Sequence, residues 1–365
     1  IYYFHRQIAL VTLIFILAHP VILLVTDPEL VQLLFSSSMP WSLRTGLGAM
    51  IAFLVILSSS LWRKPLRIHY DTWRLWHAVL APLALLTAVL HLRAVGYYLD
   101  TPWKGFLWAV IIATVIAILL YVRLVKPALL LTQPYHVVDL AEEVEGTWTV
   151  SLRPLGAPKL RFRPGQFAWL TIWHSPFALK EHPFSFSSSA TRPEMVTFTI
   201  KALGDFTARI KELVPGEKVY LDGPYGAFSI DRHPAPGFVF LAGGIGCAPL
   251  MSMLQTLADR GDRRPVQFFY AGGSWQRLAF TEQLRGLQRT LDLELVYVLE
   301  NPPPDWQGER GLITADLLKR LLPGDRTARE YFVCGPVPMM HMVEKGLHGA
   351  GVPLTRIHSE LFDLV

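Results

Sequence analysis

The sequence predicts a multi-domain membrane protein built as an α-helical transmembrane bundle, then an antiparallel β-barrel, then an α/β Rossmann-like domain. Three observations predict it. Of the 365 residues 52% are apolar and only 17% charged, too greasy for an ordinary soluble chain. The apolar residues gather in four long runs before Lys126. Beyond that point, short alternating runs give way to strands that alternate with helical stretches.

The four runs are Ile8 to Val25, Thr45 to Trp62, Trp73 to Leu92 and Phe106 to Val125, each close to the roughly 20 residues that cross a bilayer. Residues 1–130 carry ten Lys and Arg against four Asp and Glu, whereas the remainder carries 24 against 25. The basic balance therefore belongs to the membrane loops, and the absence of a basic stripe elsewhere argues against a nucleic-acid partner. Arg63, Lys64, Arg67 and Arg74 between the second and third runs, with Arg123 and Lys126 after the fourth, place those ends on the cytoplasmic side of a plasma (inner) membrane. Everything after Lys126 follows them into the cytoplasm. No cleavable signal peptide is visible, and the chain opens on Ile1 rather than Met.

From Tyr135 to Ile230 the pattern is that of barrel strands, including Thr147 to Arg153, Gln166 to Trp173, Val196 to Ala202 and Lys218 to Leu221. Asp231 to Gly237 reads as a linker, since it holds Pro234, Pro236 and Gly237. Phe238 to Ala242, Val266 to Tyr270, Leu293 to Val298 and Tyr331 to Cys334 are the strands expected of the α/β part. The expected domains are thus residues 1–130, 131–232 and 233–365. Only two cysteines are present, Cys247 and Cys334, widely separated, so no disulfide framework, no zinc ligand set and no thiolate set for an iron–sulfur cluster is expected.

The histidines of the first half are its most informative feature. His5 and His19 lie in the first run and His77 and His91 in the third, and each pair is separated by fourteen residues. That spacing keeps both imidazoles within about 40° of one helix face and about 21 Å apart along the axis. Helices separated by one span run in the same direction, so His5 lies level with His77 and His19 with His91. Two bis-histidine sites result, each suited to a haem b iron held by two axial imidazoles. The alternative is that these histidines hydrogen-bond between helices, but ionisable groups are costly in a bilayer, and four at matched spacing favour ligation. His69 is read as a headgroup residue, and Pro20 and Pro82 as helix kinks.

In the second half, Arg163-Pro-Gly-Gln-Phe167, His182-Pro-Phe-Ser-Phe-Ser-Ser188 and Gly204-Asp-Phe-Thr207 lie at strand edges. Phe238-Val-Phe-Leu-Ala-Gly-Gly-Ile-Gly-Cys-Ala-Pro249 is a buried strand leading through a glycine turn into a helix. Such a turn lets backbone amides and a helix N-terminus approach a pyrophosphate, through Gly243, Gly244 and Gly246. Pro249 stands where the ordinary fingerprint has its last glycine.

Together these segments resemble the NADPH oxidase and ferric reductase family, whose transmembrane part precedes FAD and NAD(P) domains of the ferredoxin-NADP reductase type. The resemblance covers essentially the whole chain. It implies that His182, Pro183, Phe184 and Ser185 hold the flavin, and that Ser188, Gly204, Phe206 and Thr207 lie near its pyrophosphate and adenine. It also implies that Cys334, Gly335 and Pro336 lie beside the nicotinamide, and that the near-terminal Phe362 covers the flavin ring. The family usually has six spans, so two further helices are expected before Ile1. Ser274 and Arg277 suit a 2′-phosphate, which favours NADPH, with NADH the alternative. The expected activity is electron transfer from NADPH through FAD and two haems to dioxygen, giving superoxide, or to a ferric chelate. A flavin reductase anchored by a haem-free bundle is the rival reading. No EF-hand pattern is present, so no obligatory protein partner is expected.

Overall fold

The structure is a computed structural model that describes residues 2–157 and 160–361. Phe362 lies outside the described residues. The chain divides into two compact units, Ile1–Lys126 and Pro127–Val365.

The first unit holds α1 (Tyr2–Thr26), the short α2 (Glu29–Leu34), α3 (Trp41–Leu61), α4 (Tyr70–Val95) and α5 (Pro102–Leu120). Among the described residues, four spans are long and apolar enough to cross a membrane, and they cover the four expected runs except for Trp62, which falls just past the second span. Their outward faces are apolar: Ile14, Val21, Val25, Phe106 and Ile118 are exposed, as a bilayer as solvent requires. Pro20 and Pro82 both lie inside continuous helices. The last span continues past α5 through a π-helical turn, Tyr121–Val125, into α6 (Lys126–Leu131).

The second unit opens with β1 (Tyr135–Val144), β2 (Thr147–Pro154), β3 (Phe167–Ile172), β4 (Glu181–Ser185), β5 (Val196–Lys201), the single turn α7 (Asp205–Ala208) and β6 (Lys218–Tyr225). The strands form an antiparallel sheet in the order β4-β3-β6-β1-β2-β5. A bridge from Phe186, just past β4, to Phe198 in β5 joins the two edges and curls the sheet into a barrel. Alternate residues fill its interior, among them Val150, Leu152, Leu170, Ile172, Phe198 and Val219.

Next come β7 (Phe238–Gly243), α8 (Cys247–Asp259), β8 (Val266–Gly272), α9 (Thr281–Leu287), β9 (Leu293–Leu299), β10 (Glu309–Arg310), α10 (Ala315–Leu321), β11 (Glu330–Cys334), α11 (Val337–Gly349) and β12 (Ile357–Glu360). All six strands are parallel, in the order β10-β9-β8-β7-β11-β12. A parallel sheet is buried on both faces, which explains the unbroken apolar run of β7. Phe238, Phe240 and Ala242 face the layer containing Leu250 and Leu254 of α8, while Val239 and Leu241 face Leu318 of α10 and Val343 of α11. The strand order reverses between β7 and β11, and such a reversal opens a crevice at the carboxyl ends of the strands.

Candidate functional site

In the membrane unit the structure brings the four intramembrane histidines together in pairs. The ring centroids of His5 and His77 are 6.3 Å apart and those of His19 and His91 6.2 Å, with ring planes crossed at 83° and 71°. Two imidazoles on opposite sides of one metal, each nitrogen about 2.0 Å from it and about 1.2 Å from its own ring centre, have centroids roughly 6.4 Å apart. The observed separations fit that arrangement. Both pairs line one cavity of about 1250 Å³, larger than the roughly 300–1,000 Å³ of a single-ligand pocket, so the space suits two large flat groups. Its walls are mostly apolar, including Phe15, Leu43, Phe53 and Leu85, with Arg6, Arg74 and Arg123 also lining it.

The surroundings of His91 were invisible to sequence reasoning. Its Nδ1 lies 2.8 Å from the carbonyl oxygen of Ser42, so that nitrogen donates and Nε2 is the one left to face His19. Fixing one imidazole nitrogen in this way sets the tautomer of a ligand. Gly46, one turn further along α3, makes room for the ring, because a Cβ there would fall 2.8 Å from its Cε1 and Nδ1. At the other pair, Nδ1 of His77 is buried without a hydrogen-bond partner.

In the barrel, His182, Pro183, Phe184 and Ser185 all lie on β4. The ring of His182 stacks on Phe206 at 3.8 Å, and Phe184 lies 6.1 Å from the same ring, so the structure gathers three predicted residues. The hydroxyl of Ser185 is buried without a partner, a donor free for a ligand. That of Ser188 is committed, accepting from the amide of Thr197 at 3.0 Å. Thr207 closes the turn that begins at Gly204, its Oγ1 accepting from the amides of Leu203 and Gly204 at 2.9 Å.

In the α/β part, the two predicted nucleotide segments meet at the strand reversal. A Cβ on Gly246 would fall 2.3 Å from the carbonyl oxygen of Cys334, and one on Gly243 would fall 2.7 Å from Pro336. Gly335 is as close, its missing Cβ 3.0 Å from the Cα of Gly243. Gly244 has φ +53, a left-handed conformation that suits glycine. Pro249 is buried in the first turn of α8, where proline removes no helical hydrogen bond. Ser274 precedes the turn Trp275–Arg277 that follows β8. Arg277 is exposed and makes no ion pair among the described residues.

Cys334 is fully buried, and burial holds its thiol well above its usual range, so it is a neutral wall of the crevice rather than a nucleophile. Cys247 is pushed up to about 12 by the same burial. Beside Cys334 in register on β12 stands Glu360, which the sequence reading missed. Desolvation raises its carboxyl to about 7, and its Oε2 is buried without a partner. A Cβ on Gly226, at the end of the barrel's β6, would lie 3.8 Å from its Oε1, so this carboxyl sits where the two lobes meet. Only a parallel pairing unforeseen in the sequence brings it there.

Comparison with known proteins agrees with this order of domains. Residues 1–88 match the ferric reductase like transmembrane component, residues 143–229 an FAD-binding domain and residues 240–345 an oxidoreductase NAD-binding domain. Over 236 residues the chain is 30% identical to the reductase subunit of stachydrine N-demethylase from Rhizobium meliloti, covering 63% of this chain and 66% of that one. Over 224 residues it is 33% identical to the reductase component of propane 2-monooxygenase from Rhodococcus jostii, covering 58% and 59%. The match thus spans less than two thirds of either relative. Among solved structures, the FAD/NAD-binding domain of a nitric oxide dioxygenase from Vibrio cholerae aligns with a TM-score of 0.56 at 22% identity, over 63% of this chain and 98% of that one. The last likeness is one of fold.

Proposed function

We propose, for a chain that belongs to the family joining a ferric reductase-like transmembrane component to FAD-binding and NAD-binding domains, that it moves electrons from cytoplasmic NADPH across the membrane to dioxygen, giving superoxide. The two crossed imidazole pairs at 6.3 and 6.2 Å carry this reading. When bound, FAD accepts a hydride and releases single electrons, and two haems b pass them one at a time along the bundle.

The chain's own residues divide the work. His5 with His77 and His19 with His91 would hold the two haems, at depths set by the fourteen-residue spacing, and the Ser42 carbonyl keeps the outer imidazole turned inward. Because both imidazoles of the outer pair would be spent on holding its haem, an acceptor there would take an electron without binding the metal. His182, Phe184 and Phe206 supply aromatic faces to the flavin, and Ser185 an unused hydroxyl. Gly243 to Gly246 present amides to the pyrophosphate of NADPH, and Arg277 with Ser274 meets the 2′-phosphate. NADH would lack that contact.

Each NADPH oxidised delivers two electrons and leaves one proton behind. Glu360 Oε2, unpartnered and titrating near neutrality, can hold that proton between the Cys334 end of β11 and Gly226. On this reading the basic loop before α4 and all of the second unit are cytoplasmic, and no protein partner is required.

Ferric-chelate reduction shares every step but the last. The relatives' names favour a different rival, a membrane-anchored flavin reductase that passes electrons to a protein acceptor. The test is NADPH consumption by the purified protein with cytochrome c as superoxide trap. Cytochrome c reduction that superoxide dismutase abolishes supports the proposal. Reduction insensitive to dismutase, or NADPH consumption only when ferric chelate or a protein acceptor is added, points to a rival.

A further inference from the structure

Away from both nucleotide segments, three residues from separate stretches converge at the amino ends of the parallel strands. His233 lies just past the turn Ile230–Arg232 that ends the barrel, Glu330 opens β11, and His358 lies in β12. Each offers one ligating atom, and these atoms all lie within 4.8 Å of one another. The imidazoles of His233 and His358 stack at 3.6 Å with their planes 26° apart, so their nitrogens lie side by side, and one ring must tilt for both to point at a shared ion. Glu330 is buried, and its Oε2 already lies 2.7 Å from Nε2 of His358. Its other oxygen accepts from Arg356 at 2.9 Å, so the arginine fixes the carboxylate and leaves Oε2 turned to the histidines. The ring nitrogens of His233 make no hydrogen bond among the described residues, so the unprotonated one is unused beside a buried carboxylate.

We propose that His233, Glu330 and His358 form a site for a borderline divalent transition cation such as Zn²⁺. Two imidazole nitrogens and one carboxylate oxygen are a recurrent donor set for Zn²⁺, leaving a fourth tetrahedral position for water. Mg²⁺ and Ca²⁺ demand oxygen-rich sites and are not suited to it. Moving from the present contact to coordination needs the His358–Glu330 pair to open by a few tenths of an ångström, Nε2 of His358 to be unprotonated, and one of the stacked rings to tilt toward the ion, since ligands about 2.0–2.1 Å from a metal stand roughly 3 Å apart or more. A bound cation would clasp the linker between barrel and α/β lobe to β11 and β12, the strands that carry Cys334 and Glu360 at their other ends. This site is independent of the electron route proposed above.

The experiment is Zn²⁺ titration by calorimetry of the full-length, flavin-loaded chain in detergent after EDTA treatment, compared with His233→Gln and His358→Gln. Surface histidines bind Zn²⁺ too, so His348→Gln, an exposed position on α11, serves as control. The expected result is one equivalent of Zn²⁺ that each of the first two substitutions weakens at least tenfold, that His348→Gln leaves intact, and that millimolar Mg²⁺ does not displace. Zn²⁺ should also raise the melting temperature of the parent and control but not of the two variants, because ligand bound only by the folded state stabilises it. Equal affinity and stoichiometry in parent and both variants, each still holding its flavin, overturns the site, as does the absence of any bound equivalent in the parent. Should one variant lose its flavin, the other carries the comparison.

Discussion

Gly46 lies against His91 so closely that a Cβ at residue 46 would fall 2.8 Å from two atoms of the imidazole ring. Contacts that short are not tolerated, so Gly46→Ala must turn or push the ring and break its bond to the Ser42 carbonyl. The expected result is loss or low-potential displacement of one haem while the His5/His77 site persists, read as a fall from two toward one haem per chain. Gly48→Ala, which meets nothing within 4 Å, should keep both. Equal haem content in the two variants contradicts the positioning role.

Glu360 makes stability depend on pH. Its folded carboxyl titrates near 7 against an ordinary 4.5, so between those values the folded state holds more protons than the unfolded one. Stability therefore falls as pH rises from about 4.5 to 7 and levels off above, by at most about 3 kcal/mol. Glu360→Gln should flatten this segment of a melting-temperature profile and stabilise the protein at pH 8. An unchanged profile would show that the carboxyl is solvated in the folded protein.

Gly246 leaves even less room, its missing Cβ 2.3 Å from a backbone oxygen of β11 that has nowhere to move. Gly246→Ala is expected to cost about 1–3 kcal/mol and to spread β7 from β11. Flavin reduction by NADPH should slow at least tenfold, while reduction by dithionite, which needs no nucleotide crevice, stays normal. Equal slowing with both reductants would place the damage elsewhere.

Arg277 tests the choice of nucleotide. A charge-assisted bond to a 2′-phosphate contributes about 1.5–3 kcal/mol, or roughly 10- to 100-fold in affinity. Arg277→Ala should raise KM for NADPH by that factor and leave KM for NADH unchanged. If both rise together, or neither does, the side chain is a solvated surface charge.

How far the sequence could be read depended on the range of the forces involved. Hydropathy is local and additive, so the four spans stood out, and the His5/His19 and His77/His91 spacing fixed which rings share a level before any packing was known. Four strands of the parallel sheet, β7, β8, β9 and β11, were legible for the same reason, since each is a largely apolar run. Ile357–Glu360 was not, because His358, Ser359 and Glu360 carry no strand signal and pair only because β11 lies beside them. Ser42 and Gly46 stayed hidden because their roles exist only once α3 packs on α4, across 49 residues in the case of Ser42 and His91. The cluster of His233, Glu330 and His358 joins His233 to residues 97 and 125 positions further on, with no spacing to betray it.

The central claim is that electrons from NADPH reach two irons held by the four intramembrane histidines. It is tested most directly by the visible spectrum of the detergent-purified, FAD-supplemented protein as NADPH is added without oxygen and air is then admitted. The account predicts sharp b-type haem bands that grow with NADPH, fade in air, and lose about half their intensity in His19→Ala or His91→Ala protein. Bleaching of flavin alone, with no haem band in the parent, would contradict it and leave an anchored flavin reductase.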